Sequence, residues 1–597
     1  MDYPTDLVEL CLMANGMLKT DEHTIESDLL NMRLRGNEVI AYHTYKAVTD
    51  AYSLYRKSQH KRNPNPITIK QDRVIARILE AKAGVTEEFS SLNPMMEIAR
   101  LHSVSYKGES GTNEEHAMSL DVRAYNESML GVLGITTSND GNVGVKRQLS
   151  MEPKITSTRG YIDVVGKENV EELNSANLLS PTELLTPFGV QHDDPTRTTM
   201  TYKQSIATVL VDDSDPVLMG NGVEKTLPYH LSSEFSVVAE DDGVVVDITN
   251  GLVVIQYNNG RYRSIDTNLS IKKNSSSGFY IESQLTCNKK IGDKVVKNEV
   301  VAWDNKAFKK LSDSDTDVSM RLGTMVKVAI VPEWDIYEDS APITHSASER
   351  MATQMVMPIT VSLPKNSYVS KMLKVGDKID AGQSVMVFDD FHYDQEQMEL
   401  LQALREEMGE DLTETYSSSK KSHYTGTIVD IKIYTSVELD ELSESLREIV
   451  SNYWKQLKKK ERTLEKYRNS DDVDFYKSGV IINETTAPIE PDSQGRIKGE
   501  RIEDGEGVLF IFYVSFKDYL AKGDKLAAEF ALKSITSHVI DKDLEPYSEY
   551  RPDENIDLIT APLSISARKT PSIFLAMFGN KCMIEAKRHL KEYWENN

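Results

Sequence analysis

The spacing of apolar residues changes character along the chain. Between residues 1 and 110 it follows a loose helical period. Val39, Tyr42, Tyr45, Ala47 and Tyr52 predict one helix, and Ile69 to Lys82 predicts another. Thr68 and Gln71 stand at capping-box spacing where the second begins. Ser-Leu-Asn-Pro at 91–94 punctuates the region. Residues 106–160 are rich in Gly, Ser, Asn and Thr and predict loops around short apolar segments such as Met129 to Ile135. A short module at 161–190 ends in Leu-Thr-Pro-Phe-Gly.

From 200 to 350 the period shortens to that of strands. Ser236 to Ala239, Gly243 to Ile248 and Leu252 to Tyr257 are β-branched runs split by Asp-Gly and Asn-Gly turns. A Gly-Asp-Lys pattern then recurs at Gly292-Asp293-Lys294, Gly376-Asp377-Lys378 and Gly523-Asp524-Lys525. Each copy predicts a hairpin joining two apolar strands, of the kind that builds small barrels. The third follows the strongest strand in the chain, Val508 to Val514, and a second lysine, Lys533, stands eight residues after Lys525. Residues 391–411 and 436–468 predict charged helices, with the strand Gly426 to Tyr434 between them. In the second, Leu439, Leu442, Leu446, Ile449, Tyr453 and Leu457 form a stripe at 3/4 spacing that reads as a packing face. Lys458, Lys459 and Lys460 after it read as a solvated helix end.

Composition narrows the class of protein. The 597 residues allow several domains, and no stretch approaches the ~20 apolar residues of a membrane span. The N-terminus has an acidic lead rather than the basic start of a secretory signal. Cys11, Cys287 and Cys582 lie far apart, show no metal spacing, and predict buried structural thiols in a reducing compartment. The net charge of −24 argues against a free-standing nucleic-acid binder but leaves room for one local basic channel. Phosphate-binding P-loop, Rossmann glycine, HExxH and GxSxG signatures are absent.

Candidate chemistry remains in a few clusters, and each has a plain structural alternative. Lys525 and Lys533 could offset an anion beside apolar structure, or could be two solvated lysines on a surface hairpin. Arg197 and Lys203-Gln204, after His192-Asp193-Asp194-Pro195, could bind phosphate, or the segment could be a helix start capped by Asp194 or Thr196. Glu338 and Asp339, after Trp334, could approach a divalent cation, or form an acidic loop. Arg568 and Lys569, after Pro562-Leu563-Ser564-Ile565-Ser566, could be active-site cations, or exposed cations in a loop before a helix. Asp212-Asp213-Ser214-Asp215 reads as a solvated loop.

Taken in order, these pieces resemble the C-terminal half of the β subunit of multisubunit DNA-directed RNA polymerases. Asn93-Pro94-Met95-Met96-Glu97-Ile98 resembles the fork segment around the rifamycin pocket. Residues 134–144 look like a degenerate ETPEGPNIG loop. HDDPTRTTM with Lys203-Gln204 resembles HDDxNRxLM…RQ, and residues 216–224 resemble PLVGTGxE. WDIYEDS resembles GYNFEDS, GDKLAAEFALK keeps both lysines of GDKxxGRHGNK, and PLSISAR resembles PLGVPSR. Split, divergent β subunits of this kind are similar to those of the phiKZ-like giant bacteriophages, with the non-virion enzyme favoured.

The resemblance implies an α+β, multi-domain fold: a β-rich, barrel-like hybrid-binding core, a helical fork region and a flap-like insertion. The implied boundaries are 1–150 (fork-like), 151–190 (shortened external module), 191–350 (first part of the hybrid-binding domain), 351–505 (flap-like) and 506–597 (second part). It implies that Lys525 and Lys533 contact the RNA 3′ end, template or incoming nucleotide. Arg568 and Arg197 would face the triphosphate. Glu338 and Asp339 would influence Mg2+ through water, and Lys203 and Gln204 would touch RNA of the hybrid. The catalytic Mg2+ would be held by a β′-like partner, since an NADFDGD triplet is absent here. Implied partners are a β N-terminal fragment, β′-like fragments, a promoter-specificity subunit, DNA template, RNA transcript and nucleoside triphosphates, with no membrane, in the cytoplasm of an infected bacterium. On this likeness the chain begins midway through a β subunit, ends soon after the PLGVPSR region, and is inactive alone. Arg100 near the family's key histidine position implies rifampicin resistance. The departures are Ala528, Glu529, Phe530 and Ala531 where the family has Gly-Arg-His-Gly, and Thr136 and Asn139 for two loop glutamates. The rival reading is a non-catalytic scaffold or virion structural protein built from the Gly-Asp-Lys hairpins.

Overall fold

A computed structural model describes residues 6–19, 34, 36, 39–64, 66–69, 71–79, 92–107, 118–125, 129–155, 172–273, 280–312, 317–332, 336–389, 418–467, 486–502, 505–528 and 530–596. The fold is α+β. The helix expected at 391–411 and residues Glu333, Trp334, Asp335 and Glu529 lie outside the described residues.

The N-terminal part is helical: α1 (Leu7–Lys19), α2 (Val39–Ser58), α3 (Gln71–Leu79) and α4 (Pro94–Leu101). Helix α3 lies within the span expected from its apolar spacing, of which 70 and 80–82 are outside the described residues. Helix α4 starts where Asn-Pro dictates: the Asn93 side chain accepts from the Met96 N–H at 2.8 Å, and Pro94 needs no partner for a missing N–H. The Asn93 amide also donates to the carbonyls of Ser205 and Thr208 at 3.0 and 2.7 Å. It thereby joins the start of α4 to the end of α5 (Pro195–Ser205). Ile98 and Met95 of α4 sink into a core with Leu227, Phe235 and Phe308.

Strands β1 (Gly243–Thr249), β2 (Leu252–Tyr257) and β3 (Tyr262–Asp266) form a meander, with β4 (Lys294–Val295) pairing beside β1. Asn250 (φ 53°) and Gly251 (φ 74°) close the first hairpin as the Asn-Gly signal requires.

Further along the chain come β5 (Val328–Ile330), β6 (Ser340–Thr344), β7 (Thr353–Pro364), β8 (Lys378–Ile379) and β9 (Gly426–Thr435). Helix α6 (Glu444–Lys466) and strands β10 (Gly507–Asp518), β11 (Lys525–Ala528), β12 (Leu532–Ile540) and β13 (Leu558–Thr560) follow. The chain then enters α7 (Pro562–Ser566) and α8 (Ser572–Asn596). In the largest sheet, of six strands, β10 lies between β7 and β9. Both its faces are covered, which is why its sequence is an unbroken apolar run. Val508, Phe510, Phe512 and Val514 face a core that includes Leu446, Val450 and Trp454 of α6. Leu509 and Ile511 face a second cluster with Tyr434, Ile497 and Ile502. Each such buried side chain contributes about 1.5–3 kcal/mol.

The sheet that positions the candidate site runs β5-β13-β6-β12-β11. Strands β5/β13 and β6/β12 pair in parallel, and β11/β12 form an antiparallel hairpin that bends after Ala528. The hairpin expected through Gly523-Asp524-Lys525 is not formed, because β10 before that turn and β11 after it belong to different sheets.

Several expectations are corrected. Cys11 and Cys582 are exposed and Cys287 is only half-buried, because the first two lie on uncovered helix faces. Pro562 to Ser566 form the helical turn α7, not a loop, since Pro562 sits at its first turn where no N–H is needed. The aspartates at 212, 213 and 215 are ion-paired with Lys306, Arg350 and Lys309. The packing face of α6 also includes Val450 and Trp454, and Lys460 of the lysine run is paired with Asp266 at 2.5 Å. Among the described residues no helix is long and apolar enough to cross a membrane.

Candidate functional site

The three Gly-Asp-Lys segments are copies of one turn. The glycines Gly292, Gly376 and Gly523 have φ of 90°, 97° and 95°, a conformation that glycine adopts without strain. Each glycine N–H donates at 2.8 Å to the opposite strand, at Val245, Ile428 and Thr536. Each aspartate carboxylate accepts the N–H three residues earlier, from Lys290, Lys374 and Ala521 at 2.7, 2.7 and 2.8 Å. The turns thus expose Lys294, Lys378 and Lys525 alike. The motif is architectural, and only the surroundings can make one lysine different.

The surroundings of Lys525 do differ. In the β11–β12 ladder Lys525 opposes Ile535 and Ala527 opposes Lys533. Because side chains alternate, both lysines emerge on one face as diagonal neighbours, with Cβ atoms roughly 7–8 Å apart. Both are exposed, so the burial cost expected for them is not incurred. The opposite face is anchored by Leu526, which packs against a core of Ala341, Ile343 and Leu558.

At the hairpin bend Phe530 and Ala531 adopt left-handed backbone, φ 65° and 61°. Phe530 is buried with Leu532, Ile565 and Ile573, so an apolar anchor stands where the resembling family has histidine. The bend turns the Ala531 carbonyl toward two predicted site residues. Arg568 Nη1 donates to it at 2.7 Å and Gln204 Nε2 at 3.4 Å, across 327 positions in the second case. Arg568 Nη2 donates to the Asp339 carboxylate, and the Asp339 carbonyl accepts from the Ile535 N–H at 2.8 Å. The backbone carbonyl of Glu338, itself at φ 49°, accepts from the Ser564 hydroxyl. Arg568 is therefore a held group, with two of its five donors committed within the chain.

Helix α5 brings in the remaining cations. Asp194 caps it, accepting from the Thr196 N–H at 2.9 Å. Hydrogen bonds from Thr196, then the charges of Arg197 and Lys569, hold the Asp194 carboxyl below its usual range. Arg197 and the 568–569 turn thus share one neighbourhood. Asp193 accepts from the Ser572 N–H at 3.1 Å and from its hydroxyl, so it caps α8. Burial nevertheless pushes its pKa up. Lys203 points elsewhere: its Nζ lies 2.8 Å from Asp140 and 3.0 Å from Ser138, in the loop at 134–144. Those bonds hold the Asp140 pKa well below the carboxylate range.

Between α4, α5 and the hairpin lies a small open cleft lined by Asn93, Met95, Gln204, Arg321 and Ala527. Ala527, which lines it, lies on the same hairpin face as Lys525 and Lys533. The buried Gln204 Oε1 has no hydrogen-bond partner among the described residues. Among the described residues no group of three or more His, Cys, Asp or Glu could hold a metal ion. The Asp339 carboxylate is engaged by Arg568.

Of the eight residues singled out from sequence, the structure joins Gln204 and Arg568 at one carbonyl, holds Asp339 to Arg568, and sets Glu338 beside them. Arg197 approaches through Asp194, while Lys525 and Lys533 stand on the adjoining hairpin face and Lys203 faces the 134–144 loop. The roles of Ala531, Ser564 and Asp193 were missed. Only Asp193, within a quoted motif next to a helix start, had a local signal.

Sequence comparisons add two likenesses. A family model described as Bacteriophage RNA polymerase matches residues 1–115, which include α1 to α4. The DNA-directed RNA polymerase subunit beta of Desulforapulum autotrophicum is 29% identical over 227 residues, covering 36% of this chain and 15% of that protein. The match thus spans a small part of the relative's length. Both likenesses are to RNA polymerases.

Proposed function

We propose that this chain is a subunit of a phage DNA-dependent RNA polymerase, equivalent to the C-terminal half of β, and that it forms one wall of the active site. The observation that carries the reading is the convergence at Ala531. Gln204 and Arg568, from distant segments, both donate to its carbonyl, and Asp339 is held to Arg568, next to the hairpin that exposes Lys525 and Lys533. The two RNA polymerase likenesses support it. The split form of phiKZ-like phages, the non-virion enzyme, the domain boundaries at 150, 190, 350 and 505, and the host cytoplasm belong to the same proposal.

In this reading Lys525 and Lys533 neutralise phosphates of the RNA end, template or incoming nucleotide. Arg568, oriented by Asp339 and the Ala531 carbonyl, directs its remaining donors at the triphosphate, with Arg197 nearby. Gln204 offers its unpartnered carbonyl to the hybrid, and Lys203 reaches RNA by exchanging Asp140 for phosphate. Nucleotidyl transfer depends mostly on positioning and charge neutralisation, so preorganised cations are the parts such a wall supplies. Magnesium would supply the remaining charge stabilisation from the β′-like partner, with Glu338 and Asp339 reaching it only through water. The other partners are the β N-terminal fragment and a promoter-specificity subunit.

The test is co-expression with candidate β N-terminal and β′-like fragments, followed by nucleotide incorporation on a DNA template. Replacing Lys525 or Arg568 with Ala should lower incorporation on the order of 10²-fold. Near-normal elongation in both variants would remove the site assignment and leave a scaffold, which the three identical turns would serve equally well. The same reading predicts that rifampicin leaves the assembled enzyme active; inhibition at low concentration contradicts it.

A further inference from the structure

Helix α6 carries a second concentration of positive charge that shares no residue with the cleft. Its inner face is fixed. Leu446, Val450 and Trp454 enter the large core, and Leu464 packs against Leu252 of β2. Its last turns are pinned to the meander: Lys460 meets Asp266 at 2.5 Å, and the Tyr467 hydroxyl donates to Asp247 at 2.5 Å. The orientation of the outer face is thereby set.

That outer face is a line of cations. Lys455, Lys458, Lys459, Arg462 and Lys466 stand at i, i+3, i+4, i+7 and i+11, a spacing that places all five on one side of a helix. All five are exposed. Lys466 has Asp247 at 3.6 Å. Among the described residues no carboxylate pairs with the other four; Lys455 touches only the Asn452 amide oxygen, and Lys458 lies over the Trp454 ring. The line runs about 16 Å at 1.5 Å per residue. Unneutralised like charges at helical spacing destabilise a helix slightly. Their retention in a chain of net charge −24 points to a polyanion.

We propose that this face docks a single nucleic-acid strand by its phosphate backbone. A protein partner is disfavoured because docking surfaces between proteins have an apolar centre, and this strip has none. The two rings beneath it are already engaged: Trp454 is buried, and Tyr467 under Lys466 packs against Tyr262 and donates to Asp247. Contact is therefore to phosphate, without sequence preference.

The experiment measures binding of a fluorescent single-stranded RNA to the full chain between about 50 and 200 mM salt. Each phosphate contact adds about −0.7 to the slope of log affinity against log salt for single strands. The triple variant Lys455→Ala, Lys459→Ala, Arg462→Ala should make the slope shallower by about 2 and weaken binding at low salt at least tenfold. All three side chains are exposed, so its melting temperature should match the parent. The corresponding variant with arginine at 455 and 459, and lysine at 462, should keep the slope. The change should be the same in a chain that also carries Lys525→Ala and Lys533→Ala, which separates this strip from the cleft. An unchanged slope in the triple variant overturns the proposal. So does displacement of the RNA by polyglutamate of equal charge at equal concentration, which would reassign the strip to an acidic protein.

Discussion

Phe530 and Ala531 show how one bend depends on two residues that ordinarily avoid it. Left-handed backbone costs a non-glycine residue about 1–2 kcal/mol, and here two successive residues accept it. Burial of the Phe530 ring against Ile565 and Ile573 offsets that cost. Replacing Phe530 with Ala should therefore cost about 3–5 kcal/mol. Ala531→Gly should raise stability by roughly 1 kcal/mol. The urea midpoint at constant slope reads both; a destabilising Ala531→Gly would mean that the bend is not strained. Two aspartates should respond to pH in opposite senses. The Asp140 pKa is lowered by Lys203 and Ser138. Its contribution is therefore present above the unfolded value near 3.9 and is lost as pH falls through the lower folded value. The Asp193 pKa is raised by burial. Its contribution is fullest below the unfolded value and declines as pH rises through the folded one. Asp193→Asn, which can still accept from the Ser572 N–H, should match or exceed the parent in stability at neutral pH and fall behind in acid. Asp140→Asn should lose stability at neutral pH and converge with the parent in acid. Unfolding midpoints from pH 2.5 to 8 decide both.

At the scale of elements, the Gly-Asp-Lys turn separates a structural motif from a functional one. The hydrogen bonds are the same at 292, 376 and 523, so the cost of forcing φ near +90° on alanine should be similar at all three, about 1–3 kcal/mol. The lysines should not behave alike. Lys294→Ala and Lys378→Ala should leave nucleotide incorporation within about twofold, whereas Lys525→Ala loses on the order of 10². Equal losses at all three positions would mean that the lysines serve the turn and not the cleft. The turns themselves were legible from their Gly-Asp pairs, but the hairpins expected across them are not formed: the strands on either side of each copy lie in different sheets, and each glycine bonds to a strand from elsewhere in the chain. The β10 run was legible for a different reason: its burial on both faces imposes an unbroken apolar segment. The helical stripe of α6 was visible at Leu446 and Ile449, but Leu439 and Leu442 precede the helix, which starts after Ser443, and Trp454 was not assigned to it. Its place became plain only once both packing partners, α6 and the large sheet, were seen together.

At the scale of the molecule, the limit of the sequence was long-range pairing. That Arg568 would meet Asp339, and that a carbonyl at 531 would collect Gln204, depends on which strands lie side by side in the five-stranded sheet. The order of the motifs implied their proximity, but the bonds themselves follow from parallel pairings that leave no local mark. The same holds for what remains uncovered. Leu575, Phe578, Leu590 and Tyr593 of α8 are between 41% and 72% exposed, and with Cys582 and Ala586 they recur at 3/4 spacing along one face. Contiguous exposed apolar surface of this kind drives association in water. The net charge of −24 opposes it at low salt, and screening removes that opposition. The chain purified alone should therefore self-associate as sodium sulfate is added, since screening and the excluded salt act in the same direction. Phe578→Glu with Leu590→Glu should keep it near its 67.3 kDa monomer mass under the same conditions. Both side chains are exposed, so the melting temperature should not change. Sedimentation velocity across a salt series reads the outcome. Equal association in the parent and the double variant would show that some other surface drives it, and that this face of α8 needs no cover.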